Sequence, residues 1–339
     1  MGYYIPATMK NKKFVIPDGM EYFMPNEAKF FENLKQRALR ILTNLGYQYV
    51  NPPIFDNLDN LLSLKAIDLD IETLTITDHQ AGGEIGIRAD ITPQIAKIDY
   101  QISKAKGNNK YCYMGDTLKS SSGNLDRKNP YQLGAEIFGE NNRNSDIEII
   151  KSMAEIISLS GEKRLIIELG DVTFVNNILN NLGIDNKKRR LLINLINLKS
   201  MDEIKLFCKE NNLDKKNSIF LLELLQLSGE KKVLNEIQKL INSKKVSFTN
   251  ELNNLKYIIK EIEKFKIPCE IQIDLCELHG YEYQQSIVYT AYVPNFRKEI
   301  ARGGRYNAYS VGKDKYREAT GFSLDLKDIY TLSSLNKKN

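Results

Sequence analysis

Two stretches of alternating polarity between residues 110 and 140 constrain the fold of this chain most strongly. Residues 111–114 and 132–138 place apolar side chains on alternate positions, and a polar segment rich in serine, glycine and asparagine separates them. Alternation of this kind on both sides of a polar connection predicts a long β-hairpin.

One face of the second run carries the groups of chemical interest. Gln132, Gly134 and Glu136 are predicted to point together away from the core, because successive strand residues alternate between faces. A carboxylate and an amide with a glycine between them leave room for a small ligand that carries an ammonium group. An exposed sheet face is the alternative, since charge is normally exposed. The residues predicted to face the core are Leu133, Ala135 and Ile137.

Composition places the chain among globular proteins with a sizeable core. It has 339 residues, of which 42% are hydrophobic and 27% charged. No run approaches the length of a membrane span, and the first residues lack an apolar signal segment. The 4 cysteines form no CxxC pair and there are only 2 histidines. We therefore expect no metal site, no cofactor and a cytoplasmic location.

Positive charge is concentrated in one internal segment. Residues 176–266 contain 18 Lys and Arg against 11 Asp and Glu, whereas the whole chain has a net charge of +5. A basic segment suits an acidic partner or RNA. A solvated helical face is the alternative.

Polar residues lie at a predicted strand-to-helix junction. Arg88 and Asp90 follow an alternating run, and Thr92 is predicted to be a helix N-cap with Pro93 at the first helical position. Functional polar groups are often held at such a junction, and a structural ion pair is the alternative. Further on, Ser145 with Glu148 predicts a capping box.

The order of elements predicts the fold class. A predicted strand leads into Pro52 and Pro53, which suits a sheet edge or an interface. Helical patterns dominate residues 171–266, with strand patterns before and after them. We therefore predict an α+β fold with an antiparallel sheet flanked by helices. Its discontinuous core domain would comprise residues 1–170 and 267–339, and residues 171–266 would form an all-helical insertion.

Six ordered segments resemble the catalytic core of class II aminoacyl-tRNA synthetases, specifically the histidyl enzyme and its relatives. The resemblance covers nearly the whole chain, and six matches in order are far more specific than one short pattern. The segments are IPDGMEYFMPNEA (16–28), GYQYVNPPIFD (46–56, motif 1), YCYMGDTLK with YQLGAEIFG (111–119 and 131–139, motif 2), LHGYEYQQSIVYTAY (278–292), ARGGRYNAY (301–309) and ATGFSLDLKDIY (319–330, motif 3).

Three positions depart from the histidyl enzymes. Lys119 stands where they have the motif 2 arginine that grips ATP, and Asp328 replaces the arginine that ends motif 3. His279 replaces the arginine of a histidine-specific segment. At contact with a phosphate, the attraction that is lost and the repulsion that is gained are each about 4 kcal/mol at an effective dielectric near 20. The resemblance thus implies a degenerate ATP site, and we expect the chain, which ends at Asn339, to lack the anticodon-binding domain.

The resemblance also implies that an amino-acid pocket persists. Gln132 and Glu136 match the residues that read the α-amino group and the imidazole region of histidine, and Asp90 stands where the family has a glutamate for the α-amino group. The predicted histidine-binding residues are Asp90, Gln132, Glu136, His279, Tyr283 and Tyr306.

A synthetase-like body with this pocket and a degenerate ATP site resembles the regulatory subunits of ATP phosphoribosyltransferase. That resemblance implies a non-catalytic chain that charges no tRNA and dimerises through motif 1. Its partner would be the short catalytic subunit, in a hetero-octamer with four copies of each, and L-histidine would be the effector in the first step of histidine biosynthesis. A divergent histidyl-tRNA synthetase and a free-standing histidine-binding paralogue are the alternatives.

Overall fold

The computed structural model describes residues 16–62, 73–78, 83–120, 127–244, 248–276, 284–312 and 315–336. Within these ranges no helix is both long and apolar enough to cross a membrane. The helices are Pro25–Asn44, Leu58–Leu61, Thr92–Ser103, Arg143–Ile157, Val172–Asn181, Asn186–Asn197, Met201–Glu210, Lys215–Leu224, Val233–Lys244, Thr249–Ile262 and Leu326–Asn336, with a 3₁₀ turn at Ser158–Ser160. The strands, β1 to β12 in chain order, are Gln48–Val50, Phe55–Asn57, Leu74–Asp78, Gly83–Ile87, Asn109–Asp116, Tyr131–Phe138, Leu165–Asp171, Ser228–Glu230, Cys269–Asp274, Gln284–Tyr292, Ala301–Gly312 and Lys315–Asp325.

A 9-stranded sheet organises the molecule, in the order β1-β5-β6-β12-β11-β10-β7-β9-β8. The six neighbouring strands β5-β6-β12-β11-β10-β7 all pair antiparallel, as predicted. The β1–β5 and β7–β9 pairs are parallel, so the sheet is mixed toward its two ends. The α+β class itself is confirmed. A smaller sheet has the order β2-β4-β3, and its strand β4 ends directly before Arg88.

Each face of the large sheet has its own packing layer. The larger core includes Leu133, Ala135 and Ile137, all fully buried, as the alternation of β6 predicted. A smaller cluster contains Tyr111, Tyr113 and the start of the helix Thr92–Ser103. Since Tyr111 and Tyr113 alternate with the residues of β5 that enter the larger core, this helix covers the opposite face of the sheet.

The segment 171–266 is mostly helical but not entirely so. Its short strand β8 pairs with β9 and forms the outer edge of the large sheet. The prediction of an all-helical insertion is therefore wrong at Ser228–Glu230. The domain boundaries at residues 170 and 267 remain a prediction.

Two predicted helix caps differ from the structure. The N-cap of the helix Arg143–Ile157 is Asn142, whose side chain accepts hydrogen bonds from the amides of Asn144 and Ser145, so the cap lies three residues before Ser145. The helix Thr92–Ser103 begins at Thr92 itself, and the Asp90 carboxylate accepts from the Thr92 amide at 2.9 Å. The Thr92 hydroxyl is thereby left for a contact elsewhere.

Candidate functional site

The predicted pocket face of β6 is buried. Glu136 is 2% exposed and Gln132 is 9% exposed, which rules out the alternative of an open, solvated sheet face. On β5, Tyr111 lies opposite Glu136 and Gly115 lies opposite Gln132. Directly paired residues of antiparallel strands point to the same face, so these four positions border one site.

Glu136 lies among three hydroxyl groups. Tyr306 donates to its Oε2 at 3.0 Å, and the hydroxyls of Tyr113 and Thr92 each lie 3.4 Å from its Oε1. Burial raises the pKa of the Glu136 carboxyl to about 8, and the nearby charge of Asp90 adds to the effect, while the hydrogen bonds oppose it. A carboxyl with this pKa holds its proton at neutral pH. A cationic or N–H-bearing ligand would favour release of that proton.

Two glycines make this arrangement possible. A Cβ at position 321 would overlap the Glu136 carboxyl, and a Cβ at position 134 would overlap the phenol ring of Tyr113. The carboxyl of Glu136 thus lies over Gly321, and the ring of Tyr113 lies over Gly134. The expectation that Gly134 leaves open room for a ligand is wrong, because the tyrosine of the paired strand occupies that space.

Asp90 and Gln132 form the other end of the site. Gln132 donates from Nε2 to Asp90 Oδ1 at 2.7 Å and accepts from the amide of Ile91 at 2.8 Å. The amide of Thr92 donates to the same Asp90 oxygen. Among the described residues, no donor bonds to the second carboxylate oxygen, which is therefore available to a ligand's ammonium group.

Arg88 borders the same end. It is buried, and in the part of the chain that the structure describes it has no carboxylate within ion-pair distance. The structural ion pair considered for Arg88 and Asp90 is therefore not formed. Instead, the guanidinium holds carbonyl oxygens of Pro52, Pro53 and Asp116.

Of the two residues assigned to the degenerate ATP site, Asp328 enters a separate network of ion pairs. Asp328, in the first turn of the helix Leu326–Asn336, is buried and pairs with Arg127 and, at 2.9 Å, with Lys298. Arg127 also pairs with Glu21 at 2.7 Å and with Asp325 at 3.2 Å. Burial, followed by the charge of Asp328, raises the pKa of Asp325 to about 6. The carboxylate of Asp328 is thus neutralised by cations of the chain itself.

Lys119 contributes to the structure through its backbone. It forms an isolated bridge with Thr73, and its amide donates to the carbonyl of Lys128 at 2.9 Å. His279 and Tyr283 lie outside the described residues, so their predicted roles remain predictions. Among the described residues, no cluster of three or more potential metal ligands occurs.

Sequence reasoning missed Thr92, Tyr113 and Arg127 as members of these clusters. Tyr113 had a signal, because it alternates with Tyr111 on the strand paired to β6. Thr92 had been assigned to a cap. Arg127 lies in the connection of the hairpin, and nothing in its local sequence indicates contact with residues about 200 positions away.

Comparison with known proteins places the chain in a family. A family model described as histidyl-tRNA synthetase matches residues 19–329. The ATP phosphoribosyltransferase regulatory subunit of Methylococcus capsulatus is 32% identical over 326 residues, which is 96% of this chain and 80% of that protein.

Solved structures share the fold. One is a protein of Bacillus halodurans described as an ATP phosphoribosyltransferase regulatory subunit/histidyl-tRNA synthetase, with a TM-score of 0.80 and 20% identity over 94% of this chain and 83% of that one. Another comes from the ATP phosphoribosyltransferase (HisG:HisZ) complex of Thermotoga maritima, with a TM-score of 0.65 and 17% identity over 87% and 97% of the two chains. This chain belongs to the histidyl-tRNA synthetase family and, within it, to the ATP phosphoribosyltransferase regulatory subunits.

Proposed function

We propose that this chain binds L-histidine between Glu136 and the Asp90–Gln132 pair and passes that signal to a catalytic ATP phosphoribosyltransferase subunit. As a member of the regulatory subunits, the chain is a non-catalytic component of histidine biosynthesis. In this proposal the chain raises the activity of the short catalytic subunit, and bound histidine reverses that effect.

The buried polar site carries the proposal. An amino acid with an imidazole side chain needs an acceptor for its ammonium group and a partner for its ring nitrogens. Asp90 with Gln132 supports the first role, since charge-assisted hydrogen bonds are the stronger kind. Glu136, which can donate or accept depending on its proton, supports the second role. His279 and Tyr283 are proposed to complete the pocket.

The ion-pair cluster around Asp328 supports a role without ATP chemistry. A site for a triphosphate needs uncommitted cations, whereas Arg127 and Lys298 are engaged with carboxylates. This favours a regulatory subunit over a divergent synthetase that activates histidine. A purified chain that catalyses histidine-dependent exchange between pyrophosphate and ATP would contradict it.

We further propose a self-dimer and a cytoplasmic hetero-octamer with four copies of each chain. Three apolar residues of the motif 1 segment expose between 38% and 46% of their surface, namely Tyr49, Ile54 and Phe55. Apolar side chains exposed at a sheet edge suit an isologous dimer interface. Activation requires that the assembly favour the active conformation of the catalytic chain, and histidine must weaken that preference.

Mixing the two purified chains tests the assembly. Size-exclusion chromatography with light scattering should show one particle with four copies of each chain. Separate elution of the two chains at micromolar concentration would contradict the proposed assembly.

A further inference from the structure

Four arginines are buried in the part of the chain that the structure describes, and one of them differs from the rest. Three have carboxylate partners: Arg127 with Asp325 and Asp328, Arg305 with Asp146, and Arg317 with Asp99. Arg88, which is 4% exposed, has none among the described residues. A buried charge without an ion-pair partner is unfavourable, so a cation kept in such a place calls for an explanation.

The backbone of the surrounding elements holds the Arg88 guanidinium in place. Its Nε donates to the carbonyl of Asp116 at 2.9 Å, and its Nη1 donates to the carbonyl of Pro52 at 2.7 Å. The carbonyl of Pro53 and the Oε1 of Gln94 lie at 3.2 and 3.5 Å from the same nitrogen. These contacts use two of the three guanidinium nitrogens and fix its orientation.

The other nitrogen, Nη2, has no hydrogen-bond acceptor among the described residues. A Cβ at position 115 would overlap this atom, so Nη2 lies directly over Gly115. Gly115 is paired with Gln132 across the β5–β6 ladder. Directly paired positions share a face and lie about 5 Å apart, so Nη2 points to the Gln132 end of the pocket.

The side chains at this end of the pocket complement the ammonium and carboxylate groups of an α-amino acid. Asp90, two residues after Arg88, lies beside Gln132 and has a second carboxylate oxygen that no donor of the described residues contacts. The ammonium and carboxylate groups of an α-amino acid share one carbon atom, so a site for both must place an acceptor and a cation close together. Arg88 and Asp90 meet that requirement, and burial strengthens a charge-assisted hydrogen bond.

We propose that Arg88 binds the α-carboxylate of bound histidine through Nη2. The inference rests on the histidine pocket proposed above and adds the group that recognises the ligand's acid function. The cation that recognises the carboxylate is supplied from the junction between β4 and the helix Thr92–Ser103.

A pair of ligands tests the proposal on the unaltered chain. L-histidinamide replaces the carboxylate with a neutral amide of nearly the same shape and keeps the ammonium and imidazole groups. By calorimetry the protein should bind L-histidine at least about thirtyfold more tightly than L-histidinamide. This factor corresponds to the lower end of the affinity losses seen when one partner of a buried charge pair is removed. Affinities within about threefold of each other would overturn the proposal, with no variant required.

Substitution at Arg88 then assigns the selectivity to that residue. Arg88→Met should bring the two ligands to within about threefold, whereas Arg88→Lys should keep part of the preference for histidine. The exposed Arg40, substituted as Arg40→Met, controls for the loss of one positive charge. If Arg88→Met weakens both ligands equally and keeps their ratio, Arg88 is structural and the inference fails while the histidine pocket stands. If the unaltered chain binds neither ligand, the pocket and the inference both fail.

Discussion

Tyr306 and Glu136 are joined by a hydrogen bond of 3.0 Å although a whole strand lies between them. Tyr306 is on β11, Glu136 is on β6, and β12 separates the two strands. Glu136 crosses β12 at its direct neighbour Gly321, where a side chain would occupy the space of the carboxyl. The central contact of the pocket therefore depends on a glycine, whose carbonyl also accepts from the Tyr289 hydroxyl at 2.7 Å.

Replacing that glycine should displace the carboxyl. Gly321→Ala is expected to destabilise the protein by about 1–3 kcal/mol, the usual cost of adding a buried methyl group to a packed site. It should also weaken histidine binding, because Glu136 can no longer reach Tyr306. Urea unfolding and calorimetry measure the two effects. Lys315→Ala, at the exposed start of β12, is the control and should change neither property by a comparable amount.

Removing the acid function of Glu136 tests its part in ligand recognition. Glu136→Gln keeps the size of the side chain and should cost about 2 kcal/mol of histidine binding, because a hydrogen bond to a charged group is lost. Calorimetry at pH 7 measures this, and Glu148→Gln on the helix Arg143–Ile157 is the control. Unchanged histidine affinity in the Glu136 variant would remove this residue from the site.

The raised pKa of Glu136 predicts a pH dependence of stability. The folded protein retains a proton that the unfolded chain releases above the ordinary pKa of 4.5. The resulting stabilisation is complete below that pH and is lost as the pH rises through about 8. The free energy of unfolding should fall by up to about 1.4 kcal/mol per pH unit in this window on account of this residue.

Urea unfolding of the unaltered chain and of Glu136→Gln at pH 5.5 and pH 8 measures this contribution. Between pH 5.5 and pH 8 the free energy of unfolding of the unaltered chain should fall by more than that of Glu136→Gln. A difference that is the same at both pH values would contradict a strongly raised pKa.

The pocket shows which features local sequence can predict. Alternation along β6 predicts that Gln132 and Glu136 share a face, because strand geometry is a property of the neighbouring residues alone. It does not predict that Tyr113 covers Gly134, because that contact depends on the register between β5 and β6. The cap assigned to Thr92 was wrong for a related reason: its hydroxyl bonds to Tyr113 and Glu136, partners brought near by tertiary structure.

Long side chains are the least predictable part of the site. The sequence places Arg88 at a strand-to-helix junction, but its partners lie on the Pro52–Pro53 segment and at the end of β5. Whether a nearby carboxylate neutralises it depends on three separate elements. The fold class and the order of the family segments were predictable, because each rests on residues that are close together in the sequence.

The cluster around Arg127 should contribute strongly to stability. Arg127→Met leaves Asp325 and Asp328 buried without their shared cation, and removing one partner of a buried pair typically costs about 3–5 kcal/mol. Lys205→Met breaks an exposed pair with Asp202 and should cost less than about 1 kcal/mol. Urea unfolding of both variants makes the comparison. Equal, small losses would show that the cluster is not a stabilising unit.

We propose that the chain regulates a catalytic ATP phosphoribosyltransferase subunit and transmits the effect of histidine. The most direct measurement follows phosphoribosyl-ATP formation from ATP and phosphoribosyl pyrophosphate by the short catalytic chain, with and without this protein, at several histidine concentrations. We expect higher activity when both chains are present and a loss of that gain as histidine is added. Glu136→Gln should shift this loss to a higher histidine concentration. Equal activity with and without this protein, unaffected by histidine in either case, would contradict it.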